Sequence, residues 1–220
     1  MGGASDFINN FSLVYLFGAG YTLVQIFRNW AAFWDNVLTG RDRQLAGGAA
    51  FFLLVPMGVL LHEFGHMLAA WSTGSQVLGL HYFLFWGYVE YIPASQSALL
   101  NWYVALAGNF VSFALGVGCI VAAVRLQALK PIVRVMLMQL GVLEFVQTLI
   151  AYPLMSLDPG FVGDWNSIYS FKAPVASGIT LAVHIVSLVA FIYFIRANET
   201  AKLLLNGPGK PAPQPTEPIP

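Results

Sequence analysis

Long apolar stretches with few charged residues constrain this chain more than any other feature. Hydrophobic residues make up 58% of its 220 residues and charged residues only 9%, whereas a soluble domain has about 25% charged residues. This small number of charged residues cannot cover a surface that faces water. We therefore expect most of the surface to face lipid. Because one span takes about 20 residues, the sequence predicts an all-α polytopic membrane protein.

Five apolar segments have the length of a membrane span, although a sixth span is also possible on length alone. We place the five at residues 11–27, 46–73, 97–124, 132–152 and 174–196. The segment 76–93 is apolar too, but its glycines, its proline and its β-favouring residues favour a short β-hairpin over a helix. Together these segments form one transmembrane domain over residues 1–206. The segment 207–220 is rich in proline and lacks apolar periodicity, so we expect a disordered tail.

Basic residues lie almost entirely on one side of this five-span topology, and only Lys172 lies on the other. Those that share a side are Arg28, Arg41, Arg43, Arg125, Lys130, Arg134, Arg196, Lys202 and Lys210. By the positive-inside rule that side, which includes the C-terminus, is cytoplasmic. The net charge is zero and the sequence has no basic block, so it lacks the electrostatic footprint of a nucleic-acid-binding protein. Binding of nucleic acid is therefore not expected. The expected partners are the lipid bilayer and other membrane proteins.

The second predicted span carries an HExxH motif, His62-Glu63-Phe64-Gly65-His66. Two histidines four residues apart lie on one face of a helix and can offer two imidazole nitrogens to one cation. In this motif the glutamate does not bind the metal but acts as the general base that takes a proton from water. Such polar groups within an apolar run are costly unless they are compensated, and a cation compensates them. We therefore predict a catalytic zinc site with one ion per chain, against the alternative of a polar cluster that packs between helices.

A catalytic zinc ion usually has three protein ligands, so a third ligand must come from another part of the chain. The candidates are Asp158 and Asp164, which lie in a Gly- and Pro-containing segment after the fourth predicted span. The residues themselves leave both open.

The motifs resemble those of the site-2 protease family of intramembrane zinc metalloproteases. The segment 60–70 resembles the family's HExxH helix, and the segment 107–112 (AGNFVS) is similar to its Ala-Gly-Pro-containing helix. The segment 153–160 (PLMSLDPG) resembles the family's Asn-x-x-Pro-x-x-x-Leu-Asp-Gly signature. The resemblance covers the three central spans and implies zinc-dependent hydrolysis of peptide bonds in or near transmembrane segments of membrane protein substrates.

The chain departs from the family pattern at three places. Asn109 replaces the proline, Ile150 stands where the signature has asparagine, and Pro159 is inserted before the signature's glycine. Pro153 and Leu157 of the signature align Asp158 with the family's aspartate ligand. Asp164 is instead followed by a helical pattern (WNSIYSF), as the family's aspartate is. The family's zinc lies towards the cytoplasm, whereas the basic residues put this site on the opposite side, so both orientations stay open.

Four further polar residues lie within the predicted spans. Asn109 and Ser112 can line the site or hold substrate, and small neighbours on their span also suit close helix packing. Glu144 and Gln147 lie three residues apart on one face of the fourth span. Glu144 can support a metal-binding histidine from behind, or both can simply form hydrogen bonds between helices. The alternative function is a membrane scaffold or chaperone that binds zinc and cleaves nothing, although such a protein has no chemical need for Glu63.

Overall fold

The computed structural model describes residues 3–207, with side chains from residue 12 onwards, and is mostly helical. The helices are α1 (Gly3–Arg28), α2 (Trp30–Phe33), α3 (Gly40–Ala49), α4 (Val55–Ser72), α5 (Ala98–Arg125), α6 (Pro131–Val146), α7 (Tyr152–Met155), α8 (Asp164–Ile168), α9 (Pro174–Ala197) and α10 (Glu199–Asn206). The π-helical segments Ala50–Leu54 and Gln147–Ala151 connect α3 to α4 and α6 to α7 without a break. Apart from Gly207, the expected tail 207–220 lies outside the described residues.

Four helices among the described residues are long and apolar enough to cross a membrane. They are Gly40–Ser72, Ala98–Arg125, Pro131–Met155 and Pro174–Ala197. These helices cover the last four predicted spans, which is consistent with a multi-pass membrane protein. The predicted count of five spans is not confirmed, because α1, which contains the predicted span 11–27, is not among the four.

The helix of the second predicted span begins at Gly40, six residues before the predicted start at residue 46. The Thr39 hydroxyl accepts a hydrogen bond from the backbone N–H of Asp42, and the Asp42 carboxylate accepts one from the backbone N–H of Thr39. This reciprocal capping box satisfies donors that the first helical turn leaves free. The helix therefore extends into a polar segment that hydropathy alone assigns to a loop.

The predicted hairpin is confirmed as two antiparallel strands, β1 (Gln76–Tyr82) and β2 (Gly87–Ile92). It folds back along α4, where Val77 and Tyr91 pack against the buried Ala69 and Ala70. The hydroxyl of Tyr82, the last residue of β1, donates a 2.7 Å hydrogen bond to the carbonyl oxygen of Pro56 near the start of α4. The non-helical backbone is thus sheltered by protein, which is the condition for its presence near a membrane.

The largest apolar core lies at the opposite end of the bundle from the hairpin. There α2, α3, the start of α6 and α10 bury their apolar side chains together. The core includes Phe33, Leu45, Ile132, Val135, Ala201 and Leu204. Basic residues gather at the same end, where Lys130 Nζ donates to the Trp34 carbonyl oxygen and Gln139 Nε2 donates to the Arg43 carbonyl oxygen. One end of the molecule is therefore basic, and the hairpin lies at the other end.

Helix α9 lies at the periphery of this bundle. Only 11% of its most apolar 18-residue window is buried inside the protein, compared with 39–44% for the other three candidate spans. Its apolar side chains are therefore available to lipid. The central helices α4, α5 and α6 position the polar residues of the motifs.

Candidate metal centre

His62 and His66 of α4 and Asp164 at the start of α8 converge on one point. His62 Nε2 and His66 Nε2 lie 2.9 Å apart, and Asp164 Oδ2 lies 3.1 Å from each of them. We call these three residues the triad. Their side chains are only 13%, 8% and 20% exposed, respectively. The triad can hold a metal ion with one ligand atom from each residue.

The protonation pattern of the triad favours a bound cation. His66 Nδ1 lies 2.7 Å from the Val104 carbonyl oxygen, which only accepts, so this nitrogen carries the hydrogen. In neutral His66, Nε2 then presents a lone pair to Asp164 Oδ2 and to the other ring. With Asp164 Oδ2 and neutral His66 Nε2 as acceptors, either a hydrogen on His62 Nε2 or a cation must lie among the three atoms. A single cation satisfies all three, whereas a proton satisfies one donor–acceptor pair.

The dimensions of the triad fit a small divalent ion. Tetrahedral zinc with bonds of about 2.0–2.2 Å to nitrogen and oxygen places its ligand atoms about 3.3–3.5 Å apart. The observed separations are 2.9–3.1 Å. The side chains need to spread by only a few tenths of an ångström, which rotation about their terminal torsions provides.

The local fold of α8 delivers Asp164 to the histidines. Trp165 and Ile168 are buried against Ala105 of α5, which fixes the short helix on the bundle. The Gly163 backbone N–H donates a 2.8 Å hydrogen bond to Asn166 Oδ1 and caps the start of α8. Asp164 is therefore held by the burial of its neighbours rather than by its own contacts alone.

Two further side chains hold the Asp164 carboxylate. Asn109 Nδ2 donates to Oδ2 at 3.1 Å, and the Tyr152 hydroxyl donates to the same atom at 3.3 Å. Burial alone raises the pKa of Asp164, but in the absence of a cation the positive charge that His66 gains when it is protonated and the hydrogen bonds with both histidines outweigh burial and hold this pKa well below its ordinary value. The aspartate is therefore a carboxylate, which is the form that binds metal.

Asp158 lies outside the triad. Its side chain is exposed, and its Oδ1 accepts a 2.8 Å hydrogen bond from the Gly160 backbone N–H. The Phe161 backbone N–H also donates to the Asp158 carbonyl oxygen at 3.0 Å. Asp158, Pro159 and Gly160 thus form a tight turn of the kind that Asp-Pro-Gly favours. Of the two aspartates that the sequence left open, the structure brings Asp164 to the histidines.

Glu63 lies beside the triad in a cleft of about 420 Å³. The residue is 5% exposed, and its Oε2 is buried without a hydrogen-bond partner among the described residues. The cleft is also lined by His66, Asp164, Tyr152 and the strand β2. A Cβ atom at Gly87 would lie 2.8 Å from Glu63 Cγ, so the strand approaches the carboxylate closely because residue 87 is glycine. A free carboxylate oxygen beside three atoms that could hold a metal ion suits a general base.

Two glycines let α4 and α5 approach closely enough to form the site. A Cβ atom at Gly65 would lie 2.8 Å from the Ala107 carbonyl oxygen, and one at Gly108 would lie 2.3 Å from His66 Nε2. Both distances are shorter than van der Waals contact. The histidine rings therefore occupy space that a side chain on α5 would fill.

Of the remaining residues predicted from the sequence, Ser112 and Glu144 lie near the triad and Gln147 lies away from it. Ser112 Oγ lies 3.2 Å from His62 Nδ1, and Glu144 is buried at 3% exposure near Ser112. Gln147 is exposed and, among the described residues, makes no side-chain hydrogen bond. Tyr152, which contacts Asp164, has no signal in the sequence, because a tyrosine before a proline does not indicate a partner twelve residues away.

No protein-family model, no curated protein and no solved structure matches this chain.

Replacing the two aspartates separately tests the choice between them. We expect Asp164→Ala to weaken zinc binding by at least about 100-fold, because it removes one of three ligands. Asp158→Ala should leave zinc affinity unchanged, because this residue only shapes a turn. Competition with a chromophoric chelator on the purified proteins measures both affinities. Equal affinities for the two variants would exclude Asp164 as a ligand.

Gly108→Ala tests the close contact between α5 and the histidine rings. The added methyl group displaces His66 Nε2, so we expect metal affinity to fall about 10- to 100-fold, as when a group that orients a ligand is lost. Gly118→Ala is the matched control, because a Cβ atom at this position of the same helix meets nothing within 4 Å. The same chelator competition measures both variants, and wild-type affinity in Gly108→Ala would contradict the described packing.

Proposed function

We propose that this protein is a zinc-dependent intramembrane endopeptidase and a divergent member of the site-2 protease family. The observation that carries the proposal is the buried Glu63 carboxylate, whose Oε2 has no described partner, in one cleft with His66 and Asp164. A metal site that serves only structure or transport has no use for such a base. The HExxH spacing supports the same conclusion independently.

The triad and Glu63 have separate roles in peptide hydrolysis. His62, His66 and Asp164 hold the ion, which when bound polarises the scissile carbonyl and acidifies water. The Glu63 carboxylate accepts a proton from the attacking water and passes it to the leaving amine. Asn109 and Tyr152 keep the Asp164 carboxylate oriented towards the histidines. Burial removes competing water and strengthens these interactions.

Zinc is the metal that this site suits best. Two imidazoles and one carboxylate also form the facial triad of iron(II) oxygenases, so the ligands alone do not select between the metals. Redox chemistry at iron has no need of a proton acceptor at the position of Glu63, whereas hydrolysis does. The neighbouring carboxylate therefore favours zinc.

The cleft suits an extended peptide segment. A transmembrane helix shields its own amide bonds, so a substrate must unwind locally before hydrolysis. In the described residues the sheet has only two strands, so β2 has one unpaired edge, and β2 lines the cleft beside Glu63. An unwound substrate segment can add to that edge through backbone hydrogen bonds. The site is also shallow, because His66 precedes the end of α4 at Ser72 by about 9 Å at 1.5 Å per residue.

Glu63→Gln separates metal binding from catalysis. The amide is nearly isosteric and Glu63 is not a ligand, so we expect wild-type zinc content but cleavage reduced at least about 100-fold. Purified protein in vesicles with a set of synthetic transmembrane peptides, followed by mass spectrometry of the products, measures the activity. Glu199→Gln, on the exposed helix α10, is the control and should cleave normally.

Cleavage at the wild-type rate by Glu63→Gln would refute the proposed mechanism. A wild-type protein that binds zinc but cleaves no peptide of the set would favour the alternative, a zinc-binding scaffold or chaperone.

The basic end of the molecule orients the cleft. By the positive-inside rule, the end with Arg43 and Lys130 lies in the cytoplasm, so the cleft opens on the other side. With cysteines introduced at the exposed Ser95 or Gln127 on a Cys119→Ala background, we expect an impermeant thiol reagent to label Ser95→Cys in intact cells. Gln127→Cys should be labelled only after permeabilisation. The reverse pattern would place the cleft towards the cytoplasm, as the family resemblance implies.

A further inference from the structure

The first half of α9 turns a polar face towards the protein. Although α9 lies at the periphery of the bundle, Ser177 and Thr180 are buried at 0% and 8% exposure, and His184 is half-buried. Intervals of three and four residues place all three on one face of the helix. Polar groups within a span are costly unless they are paired, so the partners of this face indicate what it does.

The carbonyl oxygen of Leu149 accounts for the histidine at position 184. In a continuous α-helix this oxygen accepts a hydrogen bond from the backbone N–H of residue 153, but Pro153 has no N–H. His184 Nε2 lies 2.8 Å from the Leu149 oxygen and supplies a donor in its place. Neighbouring helices commonly satisfy a carbonyl group that a proline leaves free within a membrane. His184 therefore binds the segment that leads into α7.

The same imidazole binds α8 through its other nitrogen. Because the Leu149 oxygen only accepts, Nε2 of neutral His184 carries the hydrogen and Nδ1 accepts. The hydroxyl of Tyr169, directly after α8, donates to this Nδ1. One helical face further up, Ser177 Oγ donates a 2.7 Å hydrogen bond to the carbonyl oxygen of Ile168, the last residue of α8. Helix α9 therefore holds the end of α8 at two points.

Both segments that His184 joins hold Asp164. Asp164 is the first residue of α8, and Tyr152 is the first residue of α7. The Tyr152 hydroxyl donates to Asp164 Oδ2 at 3.3 Å and accepts from the Asp164 backbone N–H at 3.1 Å. One imidazole thus links the helix that carries the third residue of the triad to the helix that fixes its carboxylate.

We propose that His184 is a positioning residue, which fixes α8 and α7 relative to each other and so keeps Asp164 beside the two histidines of the triad. The proposal rests on the metal site of the proposed function. No described residue of α9 lines the cleft, so the peripheral helix acts on the site from outside it. Groups that orient a ligand contribute about 10- to 100-fold to metal affinity. Because His184 acts through Tyr169 and Leu149, its contribution lies at the lower end.

Cobalt(II) affinity measures this contribution without any substrate. The purified full-length chain is titrated with Co²⁺ against a chelator, and the visible absorption of the ion reports ligand geometry. His184→Phe keeps an aromatic ring against Tyr169 and Trp165, whose centroids lie 6.0 and 5.0 Å from that of the imidazole, but it removes both hydrogen bonds. We expect affinity to fall about 10-fold and the spectrum to change. Tyr169→Phe removes only the donor to Nδ1 and should also lower affinity, by no more than His184→Phe does.

His184→Gln is the rescue variant, because its amide presents one donor and one acceptor, as neutral imidazole does. It should retain nearly the wild-type affinity and spectrum. Thr180→Val is the matched control on the same face of α9. The Thr180 hydroxyl donates to the Ala176 carbonyl oxygen of its own helix at 3.0 Å, so its removal should leave Co²⁺ affinity unchanged.

An Asp164→Ala background distinguishes positioning of this ligand from a general loss of packing. If His184 acts through Asp164, His184→Phe lowers Co²⁺ affinity in the wild-type chain but causes no further loss once Asp164 is alanine. An equal loss in both backgrounds would overturn the proposal, because His184 would then act on the fold as a whole.

The outcomes separate this proposal from the proposed function. Wild-type protein that binds neither Co²⁺ nor zinc would defeat the metal site and the positioning role with it. Wild-type protein that binds Co²⁺ while His184→Phe and Tyr169→Phe keep full affinity would overturn the positioning role and leave the metal site intact. A His184→Gln variant as weak as His184→Phe would also overturn it. Tyr169→Phe, which removes a single oxygen atom, keeps the test decisive if His184→Phe does not fold.

Discussion

The convergence of three side-chain atoms, His62 Nε2, His66 Nε2 and Asp164 Oδ2, is the constraint on which the rest of the structure depends. At 2.9–3.1 Å from one another, these atoms repel unless a hydrogen or a cation lies among them. The Val104 carbonyl oxygen holds the hydrogen of neutral His66 on Nδ1 and so directs the lone pair of Nε2 towards the other two atoms, and Asn109 Nδ2 keeps the Asp164 carboxylate in place. A cation therefore accounts for the site more fully than hydrogen bonding alone.

Glycines at four positions let the helices and β2 pack closely enough to bring these polar groups together. Gly65 and Gly108 allow α4 and α5 to meet at the histidine rings, Gly58 leaves room for Glu144, and Gly87 lets β2 reach Glu63. Each glycine is explained by a specific neighbour and needs no unusual backbone conformation. The largest buried apolar cluster of the described residues lies at the basic end, away from the cleft. The end with the cleft can therefore hold closely packed polar groups.

Local patterns predicted the histidine pair and the hairpin, because both depend on short spacing in the sequence. The four-residue interval places His62 and His66 on one helical face, and the glycines and proline of 76–93 disfavour a helix there. The choice of Asp164 over Asp158 was not predictable, because burial of Trp165 against α5 decides it. The start of the second span was predicted six residues too late, because a capping box at Thr39 extends the helix beyond its apolar stretch. The first predicted span is not among the four candidate membrane helices of the described residues.

X-ray absorption spectroscopy of the purified, zinc-loaded protein tests the central claim most directly. The account predicts one zinc ion per chain, bound by two imidazole nitrogens and by oxygen at about 2.0–2.1 Å, with no sulfur ligand. Histidine produces a recognisable multiple-scattering signal, so two rings can be distinguished from none. A protein that retains no zinc, or zinc whose ligands include no imidazole, would contradict the account.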